Sequence, residues 1–106
     1  MNLAILQDSH VIVLNQNGDI INIFEDTDAN FLGICTDNYG SIFVADNNSP
    51  EGVIMLSEDG NFQRTLPISE NTFDDPCASF SHLAIDGCGN LWVCENDTDI
   101  TIYSYL

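Results

Sequence analysis

The chain has 106 residues, a length typical of one small domain, and 44% of them are hydrophobic, which excludes an intrinsically disordered protein. Arg64 is the one strongly basic residue against 17 acidic residues, giving a formal net charge of −16. Proteins bind nucleic acids and anionic lipids through Lys and Arg side chains, so this charge balance excludes RNA, DNA and membrane surfaces as partners. If the acidity serves binding rather than solubility, it favours a basic protein as the partner.

The first predicted elements lie in residues 3–25. Residues 11–14 are all apolar, three polar residues follow, and Gly18 closes the run. The dipeptide Asn17-Gly18 is typical of a hairpin turn, since both residues tolerate a positive φ. We predict strands near 11–16 and 19–24, and a third strand in the apolar stretch before them.

The next four predicted strands cover 31–36, 41–46, 52–57 and 61–66. Tyr39-Gly40 marks the turn between the first and second of these strands, and Asp59-Gly60 the turn between the third and fourth. Residues 42–45 are apolar without alternation, which indicates a strand buried on both faces.

Residues 67–79 contain two prolines and several polar side chains, which predicts an inserted loop. Three further strands are predicted near 82–86, 91–95 and 100–105. Leu91–Cys94 is again apolar without alternation. The side chains expected in the core are Ile34, Phe43, Val44, Leu56, Ile85, Trp92 and Val93.

Two internal matches reveal a repeat. Residues 11–18 match 53–60 at a spacing of 42, and residues 33–47 match 82–96 at a spacing of 49. The loop at 67–79 accounts for the difference. A period in the forties is typical of β-propeller blades and of helical HEAT or armadillo repeats, and the short strand-like segments favour the propeller.

The sequence therefore predicts an all-β protein, a partial propeller of about two and a half four-stranded antiparallel blades in one domain, 1–106. Residues 3–25 form an incomplete blade without its inner strand, 31–66 a complete blade, and 80–106 a final blade without its outer strand. Open strand edges and uncovered apolar faces predict self-association, or association with the remainder of a propeller.

Residues 31–106 resemble NHL repeats, and most closely the C-terminal blades of tripartite-motif proteins. The matching residues are Gly33-Ile34, Asp37, Gly40, Ile42, Val44-Ala45-Asp46, Asp59-Gly60 and Arg64-Thr65-Leu66. The resemblance implies a non-catalytic module that recruits protein partners or substrates in ubiquitin ligases. Ubiquitin transfer in that family belongs to a RING domain, and this sequence contains no RING, B-box or coiled coil. Family members that bind RNA use a basic surface, which this chain lacks.

The enzymatic alternative is a metal-dependent, gluconolactonase-type propeller, which these repeats also resemble. Such hydrolases place an Asp before the Gly of an inner strand, where this chain has Leu32-Gly33 and Ser81-His82. Cys88 and Cys94 are too far apart for the close pairs of structural zinc sites. We therefore expect no enzyme activity, no catalytic residues, no metal and no cofactor.

The best candidates for binding residues follow the second strand of two neighbouring blades. Loops on a rigid scaffold commonly carry binding residues, and these two loops should emerge on the same face. The candidates are Asp46, Asn47, Asn48, Glu95, Asn96 and Asp97.

The N-terminal residues lack the basic segment and the long apolar stretch of a secretory signal, and no run is long enough for a transmembrane helix. Three of the four cysteines lie in or beside apolar strands, where cysteine acts as a small hydrophobe. We expect reduced cysteines and a cytoplasmic protein.

Overall fold

A computed structural model describes residues 2–7, 9–46, 52–67, 80–95 and 99–105. These residues form ten strands in three antiparallel sheets and no helix, so the all-β prediction is confirmed. Within the described residues, no helix has the length and apolar character needed to span a membrane. The loop predicted at 67–79 lies outside the described residues, apart from Pro67 at the end of a strand.

In each sheet, strands that are consecutive in the chain lie side by side. The N-terminal sheet contains β1 (Leu3–Gln7), β2 (His10–Leu14) and β3 (Ile20–Glu25). The central sheet contains β4 (Phe31–Thr36), β5 (Ile42–Asp46), β6 (Gly52–Leu56) and β7 (Phe62–Pro67). The C-terminal sheet contains β8 (Phe80–Ile85), β9 (Asn90–Glu95) and β10 (Asp99–Ser104). The bounds agree with the predicted strands to within two residues.

The central sheet has a neighbouring sheet on each face, and its strand β5 is covered on both sides. Every residue of β5 is buried, as the lack of alternation in its sequence predicts. Side chains of successive residues point to opposite faces of a strand. Ile42 and Val44 accordingly pack toward the N-terminal sheet, and Phe43 and Ala45 pack toward the C-terminal sheet.

Two apolar cores result, one on each side of the central sheet. The first core lies against the N-terminal sheet and contains Val11, Val13, Phe31, Ile42, Val44, Ile54 and Leu56. The second core lies against the C-terminal sheet and contains Phe43, Ala45, Val53, Leu66, Leu91, Val93 and Tyr105. The rings of Phe43 and Tyr105 meet at a centroid distance of 4.8 Å and an angle of 59°. Burying one such large side chain stabilises the fold by about 1.5–3 kcal/mol.

The prediction that Trp92 is buried is wrong, because 40% of its surface is exposed. Leu91 and Val93 of the same strand are fully buried, so β9 has one covered face and one open face. Among the described residues, only the central sheet has a neighbouring sheet on both sides. The core prediction holds for Phe43, Val44, Leu56 and Val93, whereas Ile34 and Ile85 are half-buried.

Four hairpins share one turn, formed by residues 15–19, 37–41, 57–61 and 86–90. In each, the N–H of the first residue donates to the carbonyl of the fifth, with N···O distances of 2.8–3.1 Å. The fourth residue is a glycine with φ of 84–87°. This is the three-residue loop that ends in a left-handed residue, and it explains the Gly at every predicted turn.

The first residue of the turn is polar because its side chain closes the loop. Asp37 Oδ1 accepts the N–H groups of Tyr39 and Ser41, both at 2.9 Å. Asn15 and Asp86 accept the corresponding pairs in their own turns. Such local acceptors favour turns over longer strands.

Replacing Phe43 by Ala should lower the free energy of unfolding by about 3–5 kcal/mol, because it opens a cavity in the second core. The matched control is Phe62→Ala, which removes a ring that is 55% exposed on β7 and should cost no more than about 0.5–1 kcal/mol. Urea denaturation measures both values. Equal losses for the two variants would contradict the described packing.

Gly60→Ala should destabilise the protein more than Gly18→Ala. Both substitutions place a side chain at positive φ, at a cost of about 1–2 kcal/mol. A Cβ on Gly60 would also lie 2.8 Å from Val13 Cγ2, whereas nothing lies within 4 Å of a Cβ on Gly18. The crowding should add about 1 kcal/mol or more, measurable in the same urea titration.

Candidate functional site

The four glycine turns lie at one end of the sheets and form a continuous surface, here called the turn face (15–19, 37–41, 57–61 and 86–90). Asn22 Nδ2 of β3 donates to the carbonyl of Asp59 at 2.8 Å, which connects the N-terminal sheet to the turn at 57–61. Gly40 lies against the side chain of Glu58, so the two turns of the central sheet touch. The turn face therefore draws on all three sheets.

A cleft of about 170 Å³ separates the turn at 37–41 from the turn at 86–90. Tyr105, which is 93% buried, lines it and donates its hydroxyl to Asp37 Oδ2 at 3.2 Å. Arg64 Nη2 donates to the backbone carbonyl of Tyr105 at 2.8 Å. These two bonds tie the segment after β10 to the central sheet, so the cleft has a fixed wall.

Burial raises the pKa of Tyr105 to about 12, and the nearby Asp37 carboxylate adds to the effect. The same two causes raise the pKa of the Cys35 thiol to about 12, with burial again the larger. Both groups are protonated at neutral pH. The Tyr105 hydroxyl therefore remains a donor to Asp37, and the Cys35 thiol is a poor nucleophile.

Asp86 accepts hydrogen bonds from within its own hairpin. Its Oδ2 accepts the indole N–H of Trp92 at 2.9 Å and the side-chain amide of Asn90 at 3.1 Å, and its Oδ1 accepts the N–H of Cys88 at 2.8 Å. The indole hydrogen bond is the largest cause that lowers the pKa of Asp86 to about 2, followed by the backbone N–H bonds of Asn90 and Cys88. The carboxylate is ionised at physiological pH and shapes the turn.

The turn face exposes negative charge and one aromatic ring. Asp19, Glu58 and Asp59 are exposed to solvent. Tyr39, at the edge of the cleft, is 77% exposed. A surface that carries both carboxylates and an accessible ring attracts cationic side chains through charge and through the face of the ring.

Of the residues predicted as binding sites, the structure describes Asp46 and Glu95, which end their strands at the edge of the sheets opposite the turn face. Asp46 is 4% exposed, and its Oδ1 accepts the N–H of Asn30 at 3.0 Å, so it holds the segment that leads into β4. Glu95 ends β9 and pairs with Phe80, as Asp46 pairs with Phe31. The remaining candidates, Asn47, Asn48, Asn96 and Asp97, lie outside the described residues, so the binding role of these loops stays a prediction.

The amino-acid sequence predicts the turns but not the surface that they form together. Tyr39, Glu58 and Asp59 are not among the predicted binding residues, because polar residues before a turn glycine are common in turns that bind nothing. The usable signal is the recurrence of that pattern at equivalent points of the repeat.

Histidines and acidic residues show no metal-ligating arrangement in the part of the chain that the structure describes, where no three His, Cys, Asp or Glu side chains come together. His10 Nε2 lies 3.1 Å from Glu25 Oε2 across β2 and β3. His82 lies on the open face of the C-terminal sheet, in a shallow apolar groove with Trp92 and Ile100.

The chain matches no protein-family model and no curated protein. A crystal structure of a protein of unknown function from Bacteroides caccae is similar in fold, with a TM-score of 0.54 at 14% sequence identity. The similarity covers 82% of this chain and 29% of that chain. This chain thus spans less than a third of the length of that protein, and the likeness bears on the fold alone.

Tyr105→Phe should lower the free energy of unfolding by roughly 1–3 kcal/mol at neutral pH, because Asp37 loses a buried donor. In the native protein, Tyr105 has a pKa above its usual 10, so its contribution is complete below pH 10 and is lost as pH rises toward 12. The variant should therefore lose less stability over that range. Chemical denaturation at a series of pH values measures the difference.

The control for this prediction is Tyr39→Phe, which removes a hydroxyl from a ring that is 77% exposed. It should change the neutral-pH stability by no more than about 0.5 kcal/mol. An alkaline decline of equal steepness in native protein and Tyr105→Phe would contradict the role given to Tyr105.

Proposed function

We propose that the chain is a segment of an NHL-type β-propeller and that it acts as a non-catalytic, cytoplasmic module for protein interaction. In a propeller, sheets stack around an axis with their innermost strands side by side. Here β4 contacts β8, and β5 also contacts β8. β1 contacts β4 as β5 contacts β8, which supports the assignment of β1 as a second strand in a blade without its inner strand.

The local chemistry of the NHL-like residues also supports the proposal. Asp37 closes the first turn of the blade, and Gly40 provides the positive φ that the turn needs. Asp86 and Gly89 do the same in the next sheet. The residues that define the repeat pattern thus have the same role in both sheets: the Asp closes the turn and the Gly supplies its positive φ.

The observation that carries the interaction role is the turn face, which combines exposed carboxylates, the exposed ring of Tyr39 and a preformed cleft. Its turns are closed by their own hydrogen bonds, so a partner would meet an ordered surface rather than mobile loops. The one strongly basic side chain, Arg64, donates to the carbonyl of Tyr105 and does not line the cleft. With a net charge of −16, the surface suits a basic segment of a partner protein.

The resemblance to tripartite-motif proteins suggests what such binding would serve. A propeller segment that binds a basic partner would bring that partner to a ligase whose catalytic domain lies elsewhere. The chain would then determine which protein is recruited and would take no part in ubiquitin transfer itself.

A fluorescently labelled peptide rich in Arg and Lys should bind the chain, and anisotropy should show affinity that falls with added salt. Tyr39→Ala should weaken binding about 2–5-fold, the effect of losing one exposed cation–π contact. Glu58→Gln should also weaken binding. The matched controls at the opposite end are Thr27→Ala, at an exposed position, and Glu25→Gln, and both should leave the affinity unchanged.

Equal affinities for the turn-face variants and their controls would reject the turn face as the binding surface. The hydrolase alternative is tested on the same preparation with a set of lactones and added divalent metal. Lactone hydrolysis that is lost when a chelator is added would reject the interaction role and favour the hydrolase.

A further inference from the structure

The central sheet has two faces with different partners, and both are defined by cross-strand pairs. Its rear face, which packs on the N-terminal sheet, contains the pairs Ile42↔Leu56 and Val44↔Ile54. Its front face, which packs on the C-terminal sheet, contains the pairs Phe43↔Met55 and Ala45↔Val53. Within the chain, therefore, the front face of one sheet packs on the rear face of the next.

The N-terminal sheet exposes its rear face. Its pairs Leu3↔Leu14 and Ile5↔Ile12 are equivalent to the rear pairs of the central sheet, because residues 11–14 match 53–56 in the repeat. The opposite side chains, including Val11 and Val13, lie in the first core. Leu3 is 59% exposed and Ile5 is 41% exposed, and Ile20 and Ile23 of β3 extend the same apolar face.

The C-terminal sheet exposes its front face. Its pairs Trp92↔Ile102 and Cys94↔Ile100 are equivalent to Phe43↔Met55 and Ala45↔Val53, since residues 82–96 match 33–47. Trp92, Ile100 and Ile102 are 40%, 66% and 54% exposed, respectively. The front-face positions that are covered in the central sheet are thus also apolar in the C-terminal sheet, but there they are exposed to solvent.

We propose that the front face of the C-terminal sheet in one copy of the chain packs on the rear face of the N-terminal sheet in a second copy. The contact repeats, between chains, the packing that the central sheet makes twice within the chain. A second copy is the occupant because the two open faces are complementary. The open front face is equivalent to the front face of the central sheet, which packs on a rear face within the chain, and the open rear face is equivalent to the rear face of the central sheet, which packs on a front face. Open apolar faces of this kind favour association.

The contact is head-to-tail, so two copies can make it twice: the front face of each copy packs on the rear face of the other. Two copies bring together six sheets, within the four to eight blades of known propellers, and both open faces of each copy are then covered. The negative charge of each copy opposes the contact at low salt, and screening reduces that repulsion.

Analytical ultracentrifugation of the 106-residue chain at low and high salt tests the proposal. We expect a monomer–dimer equilibrium that shifts toward the dimer as salt rises. Trp92 is the only tryptophan and lies on the front face, so its fluorescence should shift to shorter wavelength as the dimer forms.

Two single-face variants separate head-to-tail packing from symmetric packing. Ile102→Lys disrupts the front face and Ile5→Lys the rear face, so each variant alone should remain monomeric. An equimolar mixture retains one intact front and one intact rear face and should form a heterodimer. Gln63→Lys is the control, because it adds the same charge at an exposed position on β7, away from both faces, and should associate like the native chain.

Circular dichroism confirms that each variant is folded, and Ile100→Lys and Ile23→Lys serve as second variants of the front and rear faces. Association of Ile102→Lys by itself would indicate symmetric rear-to-rear packing and overturn the proposal. A mixture that stays monomeric would overturn it too. A native chain that stays monomeric at high salt would also overturn it, and would indicate that a different protein covers the open front and rear faces.

Discussion

The structure depends on the burial of both faces of its central sheet. Residues 42–45 of β5 are apolar on both faces, and their alternating side chains supply one core toward the N-terminal sheet and another toward the C-terminal sheet. Without either neighbour, a row of apolar side chains would face water at an unfavourable free energy proportional to the exposed area. The central sheet therefore depends on both outer sheets for the burial of its apolar side chains.

The turns make that packing reproducible along the chain. An acceptor side chain at the first position and a left-handed glycine at the fourth set the register of the four hairpins that share this turn. Register in turn decides which side chains face which core, because a slip by one residue would exchange the two faces. The bond from Tyr105 to Asp37 connects this local chemistry to the second core, since one side chain lines the cleft and also packs on Phe43.

The interaction role and the proposed self-association use different parts of the same scaffold. The turn face is charged and lies at the ends of the strands, whereas the open front and rear faces are apolar and lie on the sheets themselves. Assembly of two copies would leave the turn faces uncovered and would place two of them in one particle. Two linked binding surfaces raise the apparent affinity for a partner with more than one basic segment.

The sequence by itself determined what depends on near neighbours in the chain. Strand positions follow from apolar runs, turns from Gly18, Gly40 and Gly60, and the repeat from two spacings, because side-chain period and turn geometry are local properties. Only the tertiary structure decided what depends on stacking. Trp92 occupies the repeat position of Phe43, yet it is exposed, because burial requires a neighbouring sheet that a local pattern does not encode. The turn face arises in the same way, since residues from distant turns become one surface only when the sheets pack.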